Sequence, residues 1–178
     1  MIVLGGRVLF EQGDAASAQD RFGLGTFDLV LSHGVLMYHD DPHQFVATHV
    51  RMLRPGGTLS LLAKNADSQP FRAAREASVD EAIRLLDDPQ NVGHLGLRTG
   101  AQTLQDLAEM AFAAGATVRS WAGVRIFSDT PDDIVRGTDL EKVIQLEWLA
   151  ARRDPHRRTG ALLHLLLLRG IDLSLLPS

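Results

Sequence analysis

The sequence predicts an α/β fold, and three stretches of it carry that expectation. Phe27-Asp28-Leu29-Val30-Leu31 is nearly continuous in apolar character, as a strand is when helices cover both faces of its sheet. A helical pattern from His43 to Leu53 and a second strand pattern from Thr58 to Ala63 follow it, and this alternation implies a parallel crossover. The longest apolar run, Ala161 to Leu168, is interrupted by His164 and stopped by Arg169-Gly170. It reads as a central strand and is too short to cross a bilayer as a helix.

Each element has a local reason. Val8-Leu9-Phe10 is a short β-prone run stopped by Glu11-Gln12-Gly13-Asp14. Asp40-Asp41-Pro42 supplies a helix start, because an aspartate caps free N–H groups and proline suits the first turn. The helix that follows puts Phe45, Val46, His49, Val50 and Leu53 on one face, and Arg54-Pro55-Gly56-Gly57 ends it. Thr103 to Ala114 carries Leu104, Leu107, Ala108 and Ala111 at helical spacing, with Gly115 as terminator. Thr117 to Phe127 is strand-like. Pro131 opens another helical region, which carries Leu140, Val143, Ile144 and Leu146 to Leu149.

Composition removes several function classes. With 178 residues, one domain of ordinary size is expected. The absence of cysteine excludes disulfide scaffolds, thiolate metal sites and cysteine nucleophiles. A formal net charge of -4 argues against a surface given over wholly to nucleic acid. The amino-terminal residues lack the pattern of an export signal, so a cytoplasmic location is expected.

Gly13-Asp14-Ala15 after a strand, Phe27 to Val30 leading into Ser32-His33-Gly34-Val35-Leu36, and Leu53-Arg54-Pro55-Gly56-Gly57-Thr58-Leu59 opening the next strand form an ordered set. Together they resemble the later motifs of class I S-adenosylmethionine-dependent methyltransferases. “SHGVLMYHDDP”, “GTLSLLAKNADS” and “GVRIFSD” are further similar to the subfamily that esterifies the carboxymethoxy group on a wobble uridine of tRNA. The resemblance implies a Rossmann-like sheet with helices on both faces and S-adenosyl-L-methionine over the carboxyl ends of its strands. It maps the family's third strand near Val8, the fourth near Phe27, the fifth near Thr58, the sixth near Thr117 and the seventh near Leu162.

The family's glycine-rich first motif and the acidic end of its second strand would precede Val8. Gly5-Gly6 is not expected to stand in for that motif, since no strand is expected before it and no helix after it. The chain therefore reads as one methyltransferase-type domain over 1–178, truncated at its amino end and lacking the first two strands. Helical insertions over 66–100 and 130–160 are candidates for a substrate cap. Missing central strands would leave an exposed sheet edge, which a partner could cover.

By resemblance, Asp14 and Ala15 read the adenine edge of the cofactor, and His33 contacts the cofactor from the carboxyl end of a strand. The bland reading of Asp14 is a turn aspartate. A general-base role for His33 is a further reading, but a carboxylate acceptor is already ionised, so no catalytic base is required. Arg125, among apolar neighbours, would pair with an anionic substrate or with Asp129. Asn65 faces the substrate or caps a turn. His33, His39, His43 and His49 with Asp40 and Asp41 fit no compact ligand motif, and no metal site is expected. The basic run from Arg152 to Arg158 reads as a solvated loop, with tRNA phosphate binding as the alternative.

The expected function is methyl transfer to an oxygen nucleophile, such as a carboxylate, on a small molecule or tRNA, with no DNA or membrane involved. The competing expectation is an inactive remnant that serves as an interaction or regulatory subunit.

Overall fold

Leu59, Leu61 and Ala63, alternating with Ser60, Leu62 and Lys64, form the inner face of the central part of a four-stranded sheet. The structure is a computed structural model that describes residues 2–4, 8–76, 78–89, 91–92, 98–128 and 139–170. In chain order its elements are β1 (Ile2–Leu4), β2 (Val8–Phe10), α1 (Ala18–Phe22), β3 (Phe27–His33), α2 (Pro42–Met52) and β4 (Leu53–Lys64). Then come α3 (Gln69–Arg75), α4 (Val79–Asp87), β5 (Asn91–Val92), β6 (Arg98–Thr99), α5 (Leu104–Ala113), β7 (Ala116–Val124), α6 (Leu140–Ala150) and β8 (Leu162–Arg169).

The main sheet has the order β3-β4-β8-β7. β3 and β4 are parallel, whereas β8 is antiparallel to both β4 and β7. β7 therefore runs in the direction of β3 and β4, and the last strand of the chain is inserted between its predecessors. The expectation that Ala161 to Leu168 forms a central strand holds, one residue displaced.

One face of this sheet is the core. Phe45, Val46 and Val50 of α2 and Leu107, Met110 and Ala111 of α5 pack on Leu59, Leu61, Leu163, Leu165 and Leu167, all buried. Each fully buried leucine contributes about 1.5–3 kcal/mol. The two helices of this cluster lie on the same face. On the opposite face of edge strand β3, Leu29 and Leu31 remain 52% and 62% exposed, where sequence alone places a helix-covered strand. A smaller cluster of Ala73, Ala82 and Leu85 joins α3 to α4.

Capping and turn chemistry account for the boundaries. Asp41 accepts the Gln44 N–H at 2.9 Å at the start of α2, with Pro42 in the first turn. Thr103 and Asp106 form a reciprocal capping box at α5. In the Leu53-to-Leu59 segment, Gly56 adopts φ 77°. A Cβ on Gly57 would lie 2.9 Å from the Arg54 carbonyl oxygen and 3.0 Å from that of Phe27. Both glycines are thus required where β4 comes alongside β3.

Four expectations change. Val8–Phe10 does not join the main sheet; it pairs antiparallel with Ile2–Leu4 in a separate hairpin. A strand therefore does precede Gly5-Gly6, although the next described element is another strand and not a helix. Arg125 lies just past β7, exposed, with φ 58°, and not buried within a strand. The strand ends earlier because Glu147 captures the following backbone, as described below. The 66–100 stretch contains the β5–β6 hairpin as well as helices. Asp129 and residues 131–138 lie outside the described residues.

Candidate active site

Strand register sets out the site. His33, Leu62, His164 and Ala122 form one row across β3, β4, β8 and β7, and Lys64, Leu162 and Val124 form the next row outward. The carboxyl ends of β3, β4 and β7 thus share one edge of the sheet. His33 and Arg125 stand at opposite ends of that edge, three strand spacings or roughly 14 Å apart. They belong to one rim but are not in contact range of each other's backbone.

On the open face of the sheet, below this rim, three polar side chains interrupt an apolar surface. The Ser60 hydroxyl lies 2.9 Å from His33 Nε2 and 2.7 Å from His164 Nε2. The imidazole rings meet edge to face with centroids 5.5 Å apart. Ser60 is 5% exposed, His164 is half-buried and His33 is exposed. Burial, and then the neighbouring His33, hold the His164 pKa below the usual histidine range. Lys64 occupies the same face one row outward, where its ammonium donates to the Thr99 hydroxyl at 3.2 Å. Burial and then Arg72 lower its pKa.

Asn65, directly beyond β4, is an organiser of the rim and not a substrate-facing group. It is 1% exposed, and its amide donates to the carbonyls of Arg158 and Gly160 at 2.9 and 2.8 Å. Its side-chain oxygen accepts the Asp67 N–H at 3.1 Å. The turn after β7 is held by Glu147 of α6, whose carboxylate accepts the N–H groups of Ile126, Phe127 and Ser128 at 2.8–3.0 Å and the Ser128 hydroxyl at 2.7 Å. Burial raises the Glu147 pKa, but these donors more than offset it and the net shift is downward. Arg125 opens this clamped turn.

Asp14 and Ala15 lie outside the strands, ahead of α1. The Asp14 carbonyl accepts the Ser17 N–H at 3.2 Å, opening the short helical turn Ala15–Ser17, and Ala15 packs against the main core. This turn rests on α2. In the basic run, Asp154 pairs with Arg157 and Arg158 at 2.5 and 3.0 Å, and Arg157 stacks 3.9 Å over Trp121. His49 is buried, with Nδ1 2.8 Å from the Phe45 carbonyl oxygen, and its ring stacks on Phe45. Among the described residues, no three His, Asp or Glu side chains converge to hold a metal ion.

Sequence reasoning missed Ser60, His164 and Glu147. A signal for the first two was present: each is a polar interruption in an otherwise apolar strand run, at the alternate positions that face away from the core.

Residues 4–61 match the family described as “Methyltransferase domain”. The tRNA 5-carboxymethoxyuridine methyltransferase of Escherichia coli K12 is 29% identical over 140 residues, covering 77% of this chain. A solved structure from Listeria monocytogenes, described as a “putative S-adenosylmethionine dependent methyltransferase”, superposes with a TM-score of 0.59 at 14% identity, covering 94% of this chain and 71% of that one. The fold is that of the class I methyltransferases. The same fold also carries the [4+2]-cyclase SpnF, with a TM-score of 0.53 at 20% identity over 95% of this chain and 58% of that one. The class I methyltransferase fold alone therefore does not dictate the reaction. The chain spans 52% of the length of its Escherichia coli relative.

Proposed function

We propose that this chain is an S-adenosyl-L-methionine-dependent methyltransferase, or the corresponding part of one, acting on an oxygen nucleophile. The observation that carries the reading is the likeness to the tRNA carboxymethoxyuridine enzyme over 77% of the chain, joined to a rim that collects His33 and Arg125 at the carboxyl ends of parallel strands. Asp14 and Ala15 would read the adenine edge, and His33 would lie against the bound cofactor. The cofactor supplies an electrophilic methyl group. The chain's own part is to position the acceptor in line with it, which carries most of such catalysis when the nucleophile is already ionised.

Arg125 is the substrate contact in this reading: an exposed guanidinium on a turn fixed by Glu147, suited to a carboxylate or a phosphate. The acceptor is a carboxylate on a small molecule or on tRNA. By the same resemblance, the stretches over 66–100 and 130–160 would cap the substrate. No described helix is long and apolar enough to cross a membrane, in keeping with a cytoplasmic enzyme. The test is incubation with methyl-labelled cofactor and either bulk tRNA or a small-molecule extract. Label in alkali-labile methyl ester on tRNA supports the reading; label in neither pool contradicts it.

Among the described residues no strand pairs with the outer edge of β3, and Leu29 and Leu31 are exposed on it, which supports a second reading in which a partner segment pairs with that strand.

A further inference from the structure

Lys64 is the charged residue at the carboxyl end of β4, and its surroundings do not match its charge. Strand alternation puts it on the side of Ser60 and Leu62, one row outward from His33. A lysine at a sheet end ordinarily lays its stem along the surface and keeps its ammonium in water. Here the ammonium donates at 3.2 Å to the hydroxyl of Thr99, a residue that is 3% exposed. An ammonium carries three N–H donors, and this is the one hydrogen bond it makes among the described residues. No carboxylate among the described residues pairs with it. The charge that acts on it is a second cation, Arg72 of α3.

The frame around the ammonium is fixed from two sides. The Lys64 carbonyl accepts the Gln102 N–H at 3.0 Å, and the Gln102 carbonyl accepts the Ala66 N–H at 3.0 Å. These bonds hold the chain that follows β6 beside the end of β4, which brings Thr99 within reach. On the other side, the Asn65 carbonyl accepts from the Ser68 hydroxyl and the Gln69 amide, each at 3.0 Å. Ser68 and Gln69 are buried, so the start of α3 is tied to the residue next to Lys64. β4, β6 and α3 thus hold two positive groups at one partly desolvated corner of the rim. Like charges brought together away from water are costly, and an anion bound there offsets the cost.

We infer that Lys64 is the primary contact for an oxyanion, a carboxylate or phosphate group, bound at the carboxyl end of β4. The inference rests on the methyltransferase reading for its functional meaning, and it deepens that reading by adding a substrate contact. By strand geometry Lys64 lies roughly 8 Å from His33, backbone to backbone. Two strand spacings, roughly 10 Å, separate it from the end of β7, where Arg125 follows. The anionic group nearest His33 therefore goes to Lys64, and Arg125 is left for a more distant one.

The chain has two lysines, so labelling lysine Cε with carbon-13 gives two signals, and exposed Lys142 on α6 is an internal control. Lys142→Arg assigns them. The labelled 178-residue chain is titrated at constant ionic strength with methoxyacetate and with inorganic phosphate, each with and without S-adenosylhomocysteine. The expected result is a saturable shift of Lys64 with one probe or both while Lys142 stays in place; the tighter probe identifies the oxyanion. Lys64→Met, which keeps the apolar stem and removes the charge, should weaken that probe about tenfold or more by calorimetry. The unsubstituted chain carries the test even if this variant folds poorly. No saturable Lys64 shift under any of these conditions, or equal movement of Lys142, overturns the inference. Binding of S-adenosylhomocysteine with Lys64 indifferent to both oxyanions overturns it and leaves the methyltransferase reading intact. An oxyanion response at Lys64 with no S-adenosylhomocysteine binding does the reverse: the site stands and that reading falls.

Discussion

The hydroxyl of Ser60 lies 2.7 Å from Nε2 of His164, 104 positions further along the chain. The contact exists because β8 runs back between β4 and β7, and only that strand order brings the two onto one face. His164 and His49 share a consequence: burial lowers the pKa of each. Below the ordinary histidine value the unfolded chain then binds more protons than the folded one, so stability rises with pH through that window and is fully present above it. Thermal midpoints should fall as pH is lowered from about 7 to 5, and the fall should be shallower in His49→Gln and His164→Gln. Unchanged slopes in both variants would contradict the assignment.

The Glu147 clamp predicts a local and a functional effect. Glu147→Gln should cost roughly 1–3 kcal/mol, because backbone donors lose their charged acceptor. Amide exchange at Ile126 to Ser128 should accelerate more than exchange in β8. If Arg125 holds the substrate, KM should rise with little change in kcat.

Close packing at Gly57 gives a steric prediction. Gly57→Ala puts a Cβ within 2.9–3.2 Å of the Arg54, Phe27 and Asp28 carbonyl oxygens and should destabilise by about 1–3 kcal/mol in urea unfolding. Gly56→Ala, at an exposed position with φ 77°, should cost about 1–2 kcal/mol.

At α5, Thr103→Ala removes the hydroxyl that accepts the Asp106 N–H at 3.0 Å. A loss of about 1 kcal/mol is expected in the same assay, with the helix start frayed.

What sequence could supply was local. Asp41-Pro42, the apolar spacing of α5 and the paired glycines before Thr58 each act within a few residues, and each appears where its chemistry requires. Pairing partners were not legible in the same way. Val8–Phe10 reads as β-prone whether it joins the main sheet or a hairpin, and nothing near it in sequence decides which. Arg125 looked buried because its neighbours are apolar, yet Ile126 turns inward while a glutamate 20 or so residues later draws the backbone away from the strand. Ser60 and His164 each looked like isolated exceptions, and only the antiparallel insertion of β8 makes them a pair.

Calorimetric titration of S-adenosylhomocysteine into the 178-residue chain tests whether it holds an adenosine cofactor at the carboxyl rim of its sheet. Saturable binding at one site per chain, weakened by His33→Ala, is the predicted result. A chain that is folded by circular dichroism and cooperative unfolding, yet gives no saturable heat and no ligand-dependent rise in thermal midpoint, would contradict it.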